Sequence, residues 1–342
     1  MRVVEAAVEA RKVHVLQQET YDSNAKTYSF PVDSHLSQLT VQVTNFKTED
    51  AISVKIRDPQ GKQISKAEGL NQLMKTVPTV FVGSIDRPTP GLWTLEVSAG
   101  SNEKEDGAGT TKIGDPDTAW HSIRVTGLSE VDFLQGFATV PLPYNYGSSS
   151  QPIAGVKNYI MANMTGRFAP GKIEHFVVRS PNGTVIVRLP ATMTESTQIY
   201  SSVIPLEATD GHYYLQVSGT DIKGDKFQRY SKVAYSARVP RPVVVTCPRK
   251  VEVRRGSSAE ISCSIETEVP FTVQWYKGDD ILESGAGTLY SFSTNVTHIV
   301  EDVNEESQGS YKLTMIPSIT QTDFRVDGEF SDVTALIVLR KF

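Results

Sequence analysis

The chain is predicted to be all-β: three tandem β-sandwich modules with a short N-terminal helix. Three observations predict this. The first is a strand motif that occurs three times, as Gly91-Leu92-Trp93-Thr94-Leu95-Glu96-Val97, Gly211-His212-Tyr213-Tyr214-Leu215-Gln216-Val217 and Gly309-Ser310-Tyr311-Lys312-Leu313-Thr314-Met315. Each copy opens on Gly and places an aromatic two residues later. Apolar and polar residues then alternate, the period of a strand with one buried face. The second is a turn ahead of each copy: Asp58-Pro59-Gln60-Gly61, Ser180-Pro181-Asn182-Gly183 and Tyr276-Lys277-Gly278-Asp279. Each turn precedes its glycine by roughly 30 residues, the spacing of a repeated unit. The third is size: 342 residues, 39% hydrophobic and 21% charged, divide into modules large enough to bury a core each.

Taken in order, residues 2–16 read as an amphipathic helix passing into an extended piece. Val4, Ala7 and Val8 share a helix face, and Val13 and Val15 then alternate with polar residues. The first module spans 27–127. Leu36, Leu39, Val41 and Val43 open it, and Ile52, Val54 and Ile56 alternate with Ser53, Lys55 and Arg57. Asp58-Pro59-Gln60-Gly61 suits a tight turn, because Asp accepts local backbone N–H groups and Pro pre-sets φ. Residues 101–117, rich in Gly, Asp and Glu, read as a mobile loop. Residues 121–125 form the last strand.

The second module spans 128–238. Its hairpin flanks align with the first at a constant offset, Ile56 with Val178, Arg57 with Arg179 and Ile64 with Ile186. Residues 227–237 close it. Val239-Pro240-Arg241-Pro242 is a short stiff linker, since proline on both sides of Arg241 favours extended geometry. The third module spans 239–342. Cys263, then Trp275, then Tyr311 follow the order of an immunoglobulin domain. Leu313 stands where that fold usually carries its second half-cystine, so the module is expected to be immunoglobulin-like without the inter-sheet disulfide.

The formal charge of −5 is slight and dispersed, with no basic stripe for nucleic acid. No apolar run approaches the ~18 residues of a membrane span. The N-terminal stretch lacks the apolar core of a secretory signal. Taken literally the chain would stay in the cytosol, and a fragment would look the same.

Candidate chemistry is sparse. The histidines (His14, His35, His121, His175, His212 and His298) show no metal-ligand spacing, and no H-E-x-x-H, G-x-S-x-G or P-loop occurs. No catalytic residue, metal or cofactor is expected. Glu103, Glu105, Asp106, Asp115 and Asp117 cluster in one loop, where carboxylates can hold calcium, but a solvated acidic loop is the favoured reading. Trp93 belongs to the core. Trp120 follows the loop and is the candidate for stacking on a sugar. Three glycosylation sequons start at Asn163, Asn182 and Asn295, with Asn182 favoured because it sits at a hairpin tip. Cys247 and Cys263 either bridge the first two strands of the third module or are both reduced, buried thiols; the residues leave both readings open.

Several stretches resemble the hemicentins, a family of very large extracellular matrix proteins. Val4 to Leu16 is similar to the final helix and exit strand of their von Willebrand factor A domain, so residues 1–26 read as its remnant. Asp58-Pro59-Gln60-Gly61-Lys62, Pro90-Gly91-Leu92-Trp93-Thr94 and residues 121–129 resemble the module that follows, called galactose-binding-like in that family. Asp132-Phe133 and Gly136-Phe137 continue the likeness, Phe227-Gln228-Arg229 carries it through the second module, and Pro270-Phe271-Thr272-Val273 resembles the first immunoglobulin module. The resemblance implies a secreted, non-enzymatic matrix or adhesion array with matrix or cell-surface proteins as partners. A carbohydrate-binding module centred on the first sandwich, with glycans as partners, is the alternative. The metal-dependent adhesion motif D-x-S-x-S does not occur, so no metal chemistry is carried over.

Overall fold

The computed structural model describes residues 11–21, 24–46, 52–74, 77, 79–99, 120–139, 141, 149–165, 171–195, 198–207, 211–287, 293–317 and 330–339. The expected helix before residue 11 and the loop at 101–117 lie outside these residues. The described chain is mostly β-strand, with two single-turn 3-10 helices at Lys66–Glu68 and Glu305–Ser307. It divides into two compact units. The first comprises residues 1–135, 162–204 and 212–235, and the second 136–161, 205–211 and 236–342. These units do not follow the module boundaries expected from the sequence.

The first unit begins with β1 (Lys12–Thr20), β2 (Lys26–Val32), β3 (Gln38–Asn45), β4 (Ile52–Arg57), β5 (Leu70–Met74), β6 (Val80–Asp86), β7 (Gly91–Ala99) and β8 (His121–Leu128). A small sheet in the order β2-β7-β4 shares a core with β1, β8, β3, β6 and β5 of a larger one. Val13, Phe30, Val41, Val43, Trp93, Leu95 and Val125 fill the space between them. Further along the chain come β9 (Asp132–Ala138), β10 (Lys157–Thr165), β11 (Gly171–Arg179), β12 (Val185–Thr194), β13 (Ile199–Ser202), β14 (Leu206–Glu207), β15 (Tyr214–Asp221) and β16 (Lys226–Tyr230), of which β14 and parts of β9 and β10 fall in the second unit. Of these, β11, β12, β13, β15 and β16 continue the larger sheet, because β1 pairs antiparallel with β8 on one side and meets β16 through His14 and Tyr230 on the other. A bulge between His14 and Leu16 breaks the alternation of β1. Val13, His14, Val15 and Leu16 are therefore all buried. The stretch that resembles an exit strand is thus an interior strand here.

The three copies of the motif share a glycine at positive φ and a buried aromatic. Gly91, Gly211 and Gly309 adopt φ of 138°, 110° and 150°, backbone that an L side chain rarely takes. Trp93, Tyr213 and Tyr311 are all buried. Trp93 Nε1–H donates to the Thr89 carbonyl at 2.8 Å and the Tyr311 hydroxyl donates to the Ser307 carbonyl at 2.9 Å. Each bond reaches back to residue i−4, so a tryptophan in one sandwich does what the corner tyrosine does in the other. The first two turns also coincide. Gly61 N–H bonds Asp58 O and Gly183 N–H bonds Ser180 O, both at 2.9 Å. Arg57 and Arg179 reach the carbonyls of Gly61 and Gly183 at 3.4 and 2.7 Å.

A buried ion pair ties the two halves of this unit. Arg229 Nη1 lies 2.8 Å from Asp33 Oδ2, and both side chains are 1% exposed. The guanidinium also donates to Val131 O and Gln228 O, each at 3.0 Å, and to Ser129 Oγ at 3.3 Å. Beside it, Ser34 donates to Asp221 Oδ2 from its hydroxyl at 2.7 Å and its N–H at 3.3 Å. Burial pushes the Asp221 carboxyl up, but bonds from Ser34, Asp225 and Lys223 outweigh it and hold the group below its ordinary value.

The second unit contains β17 (Val244–Thr246), β18 (Lys250–Arg254), β19 (Ala259–Glu266), β20 (Phe271–Lys277), β21 (Asp280–Gly287), β22 (Ser293–Val300), β23 (Gly309–Pro317) and β24 (Phe330–Leu339). They form sheets β17-β19-β22 and β18-β24-β23-β20-β21, in which β18 runs parallel to β24. Ile261, Cys263, Trp275, Tyr311, Leu313 and Leu336 meet in one core. Leu313 is fully buried, directly opposite Trp275. It fills as hydrocarbon the place of the missing half-cystine.

The linker ahead of this sandwich is clamped. Glu268, 3% exposed, receives Arg238 Nη1 at 2.7 Å and Nη2 at 2.8 Å, and accepts the Arg241 N–H at 2.9 Å. Arg238 also reaches Ser149 Oγ, and its backbone bonds Pro152 and Ala154. Val269 packs on Ile153 and Val156. Burial pushes the Glu268 carboxyl up, but the bonds from Arg238 and the Arg241 N–H, with both guanidinium charges, outweigh it, so the group titrates below its ordinary 4.5. Its contribution to stability is complete above that value and is lost as pH falls through the lower folded one.

Two measurements check these contacts. Arg229→Ala is expected to cost ~3–5 kcal/mol in urea unfolding, because it strands a buried carboxylate. Arg229→Met combined with Asp33→Leu should recover much of that loss; a single-variant cost under ~1 kcal/mol, the level of a surface pair, would contradict the analysis. Glu268→Gln should lower stability at pH 7 by ~2 kcal/mol, the scale of charged hydrogen bonds. It should also flatten the fall in Tm that the unmodified chain shows as pH drops below about 4.5, an acid sensitivity tied to carboxylate protonation. Parallel Tm profiles for the two proteins would rule out this role for Glu268.

Candidate functional site

A polar concavity lies on the outer face of β3, β8 and β1. Inward positions Val41, Val43, Ile123 and Val125 fill the core, so the pleat turns the intervening residues outward. Register sets these in two rows across the strands, Gln42–Arg124–Gln17 and Thr44–Ser122–Glu19. The six polar side chains floor a cleft of about 330 Å³ that is walled by Phe46, Gln18, Pro181 and Tyr214.

Each wall is positioned by a contact. Phe46, 53% exposed, is fixed by its N–H to the Trp120 carbonyl at 2.9 Å. The Tyr214 hydroxyl accepts from Gln17 Nε2 at 2.7 Å. Burial raises its pKa, with help from the Glu19 charge, against the Gln17 bond and the Arg124 charge. Pro181 is held by the Glu19 N–H donating to its carbonyl at 2.9 Å. Gly183, at φ +83°, lies so close to Gln18 that a Cβ would sit 2.2 Å from Gln18 Cδ. The cleft thus offers amide and guanidinium donors, amide and carboxylate acceptors, hydroxyls and one exposed ring. That set suits hydrogen bonding to a polar, uncharged group and contains no nucleophile–base pair.

The residues singled out from sequence fall in different places. Asn163, Asn182 and Asn295 are all exposed, on β10, at the tip between β11 and β12, and on β22. Asn182 Oδ1 accepts the Thr184 N–H at 3.1 Å and the Ser180 hydroxyl at 2.5 Å. Cys247 and Cys263 are joined, S–S 2.04 Å, across the neighbouring strands β17 and β19.

Trp120 is 4% exposed, edge-on to His121 at 4.8 Å, with its N–H on the Thr20 carbonyl. It therefore presents no face on which a sugar can stack, correcting the expectation for this residue. It directly precedes β8 and sits beside the end of β1, and that pairing buries it. The exposed ring is Phe46, which sequence reasoning passed over. Its signal was its phase, two residues beyond the outward-facing Gln42 and Thr44.

His121 is fully buried, with Nε2 2.9 Å from the Tyr28 hydroxyl, and burial lowers the pKa of His14 against a bond from Gln17. Among the described residues no group of three or more His, Cys, Asp or Glu is placed to hold a metal. The acidic cluster at 103–117 lies outside them.

Comparison with known proteins places these features. Residues 12–112 match the family model of the hemicentin galactose-binding domain-like module, and residues 242–326 match the immunoglobulin I-set domain. The first match starts at β1. Mouse hemicentin-1 is 28% identical over 323 residues, 93% of this chain and 5% of its own length. Human hemicentin-1 is 27% identical over 320 residues, again 93% and 5%, and mouse hemicentin-2 is 26% identical over 315 residues, 91% and 6%. The chain thus spans only 5–6% of the length of the curated relatives it matches. Among solved structures, the I-band fragment I67–I69 from titin covers 96% of this chain and 98% of its own, at 14% identity and a TM-score of 0.26. With the hemicentin module model matched near its start, the I-set model matched toward its end and an alignment along most of the residues between, the chain is similar to the hemicentins over most of its length.

Proposed function

We propose that this chain is a non-enzymatic segment of an extracellular matrix or adhesion protein. It links matrix or cell-surface partners through the loops and edge strands of its sandwiches. The observation that carries this reading is a sandwich matching the I-set model, in which β21 and β22 stand at sheet edges among the described residues, in a chain otherwise similar to the hemicentins. Edge strands present free N–H and C=O groups that a partner strand can use. Exposed sequons and paired cysteines suit an oxidising, secretory compartment. Among the described residues no helix is long and apolar enough to cross a membrane. We place module boundaries near 127 and 238 and group β1 with the first module, because its side chains complete that core.

The test is secretion with intact mass. The chain is expressed behind a signal peptide in animal cells, free thiols are alkylated, and mass is read before and after glycosidase. We expect efficient secretion, sugar on the sequons, no alkylated cysteine, and retention of the secreted protein by cell-laid matrix. Intracellular retention with two free thiols and no sugar would overturn the extracellular reading.

A further inference from the structure

We infer that the cleft over β3, β8 and β1 is a saccharide site, and that its occupant is the stem of an N-linked glycan carried by this chain on Asn182. The inference rests on the extracellular reading above. Two independent observations support it, the chemistry of the cleft and the place of the sequon.

The chemistry comes first. An N-linked stem begins with N-acetylhexosamines, each an uncharged ring of hydroxyls with one secondary amide and one apolar C–H face. The floor supplies Gln17 and Gln42 for the amide, and Arg124, Ser122, Thr44 and Glu19 for hydroxyls. Phe46 supplies an exposed ring for the apolar face. The volume of about 330 Å³ lies at the small end of the ~300–1,000 Å³ typical of ligand sites, which suits one or two sugar rings and not a folded partner. Positive and negative groups are balanced on the floor, so a strongly charged ligand has no advantage there.

The sequon is held at the rim. Pro181 forms part of the wall, and Asn182 is the next residue. The hairpin tip cannot drift away, because Glu19 N–H holds the Pro181 carbonyl and Gly183 backs onto Gln18. Asn182 is exposed at that fixed tip. A sugar joined there is presented to the cleft at an effective concentration in the millimolar range, set by the short tether. Polar open sites bind free sugars weakly, so tethering decides between the chain's own glycan and one brought by a partner.

The test uses the full secreted chain from animal cells. Peptide mass mapping reads Asn182 occupancy. The rate of enzymatic release of its glycan is then compared in the native protein, the unfolded protein, and the half-exposed or exposed variants Phe46→Ala and Arg124→Ala. A packed stem should be released from the native chain about tenfold more slowly than after unfolding, equivalent to ~1.4 kcal/mol of protection. Both variants should abolish the difference while leaving occupancy and Tm of the deglycosylated protein unchanged. Secretion with Asn182 bare, or release equally fast in native and unfolded protein, would overturn the inference and leave the extracellular reading intact. Fast release together with binding of free chitobiose by an Asn182→Gln variant would also overturn it, in favour of an external sugar. Failure of secretion with no sugar at any sequon would overturn both.

Discussion

Arg229 and Asp33 carry opposite charges at a depth where neither meets water. Removing two ions from solvent costs several kcal/mol each, so such a pair persists only when nearly every remaining donor finds an acceptor. Here the carbonyls of Val131 and Gln228 and the hydroxyl of Ser129 complete the guanidinium shell. Those partners come from the end of β2, from β16 and from the chain between β8 and β9. Their positions are therefore fixed together. Within the first unit the pair ties the first sandwich to β16, next to β1, the strand that pairs with both β8 and β16.

Much of this was legible in the chain. The glycine-led strand motif announced an all-β chain because its requirements are local: positive φ at the glycine, a buried aromatic, then alternation. The Pro-Gly turns were legible for the same reason, since an Asp or Ser, a Pro and a Gly at fixed offsets specify their own hydrogen bonds. The immunoglobulin-like core could be read through its tryptophan and tyrosine even with a leucine in place of cysteine.

What escaped reading was set by pairing at long range. The bulge in β1 buries four successive residues and hides its period, and nothing local says that β16 is a neighbour. Trp120 looked like a loop residue until the end of β1 was placed beside it. The cleft is a matter of register alone. Gln17, Gln42, Thr44, Ser122 and Arg124 each resemble any outward-facing strand residue, and only the alignment of three strands from distant parts of the chain gathers them. The same is true of Glu268, whose two arginine partners reach it from the linker and from the residue just before it.

The cystine between β17 and β19 has a mechanical meaning. Its sulfurs join residues 247 and 263, so β18 lies inside a covalent loop. A pull entering the immunoglobulin-like sandwich from the linker side passes through the sulfurs directly into β19 and never travels along β18. The parallel ladder between β18 and β24 is thus spared traction from that end. Extension from that side is then borne by β19, whose alternate residues Ala259, Ile261, Cys263 and Ile265 are buried, while β18 is shielded.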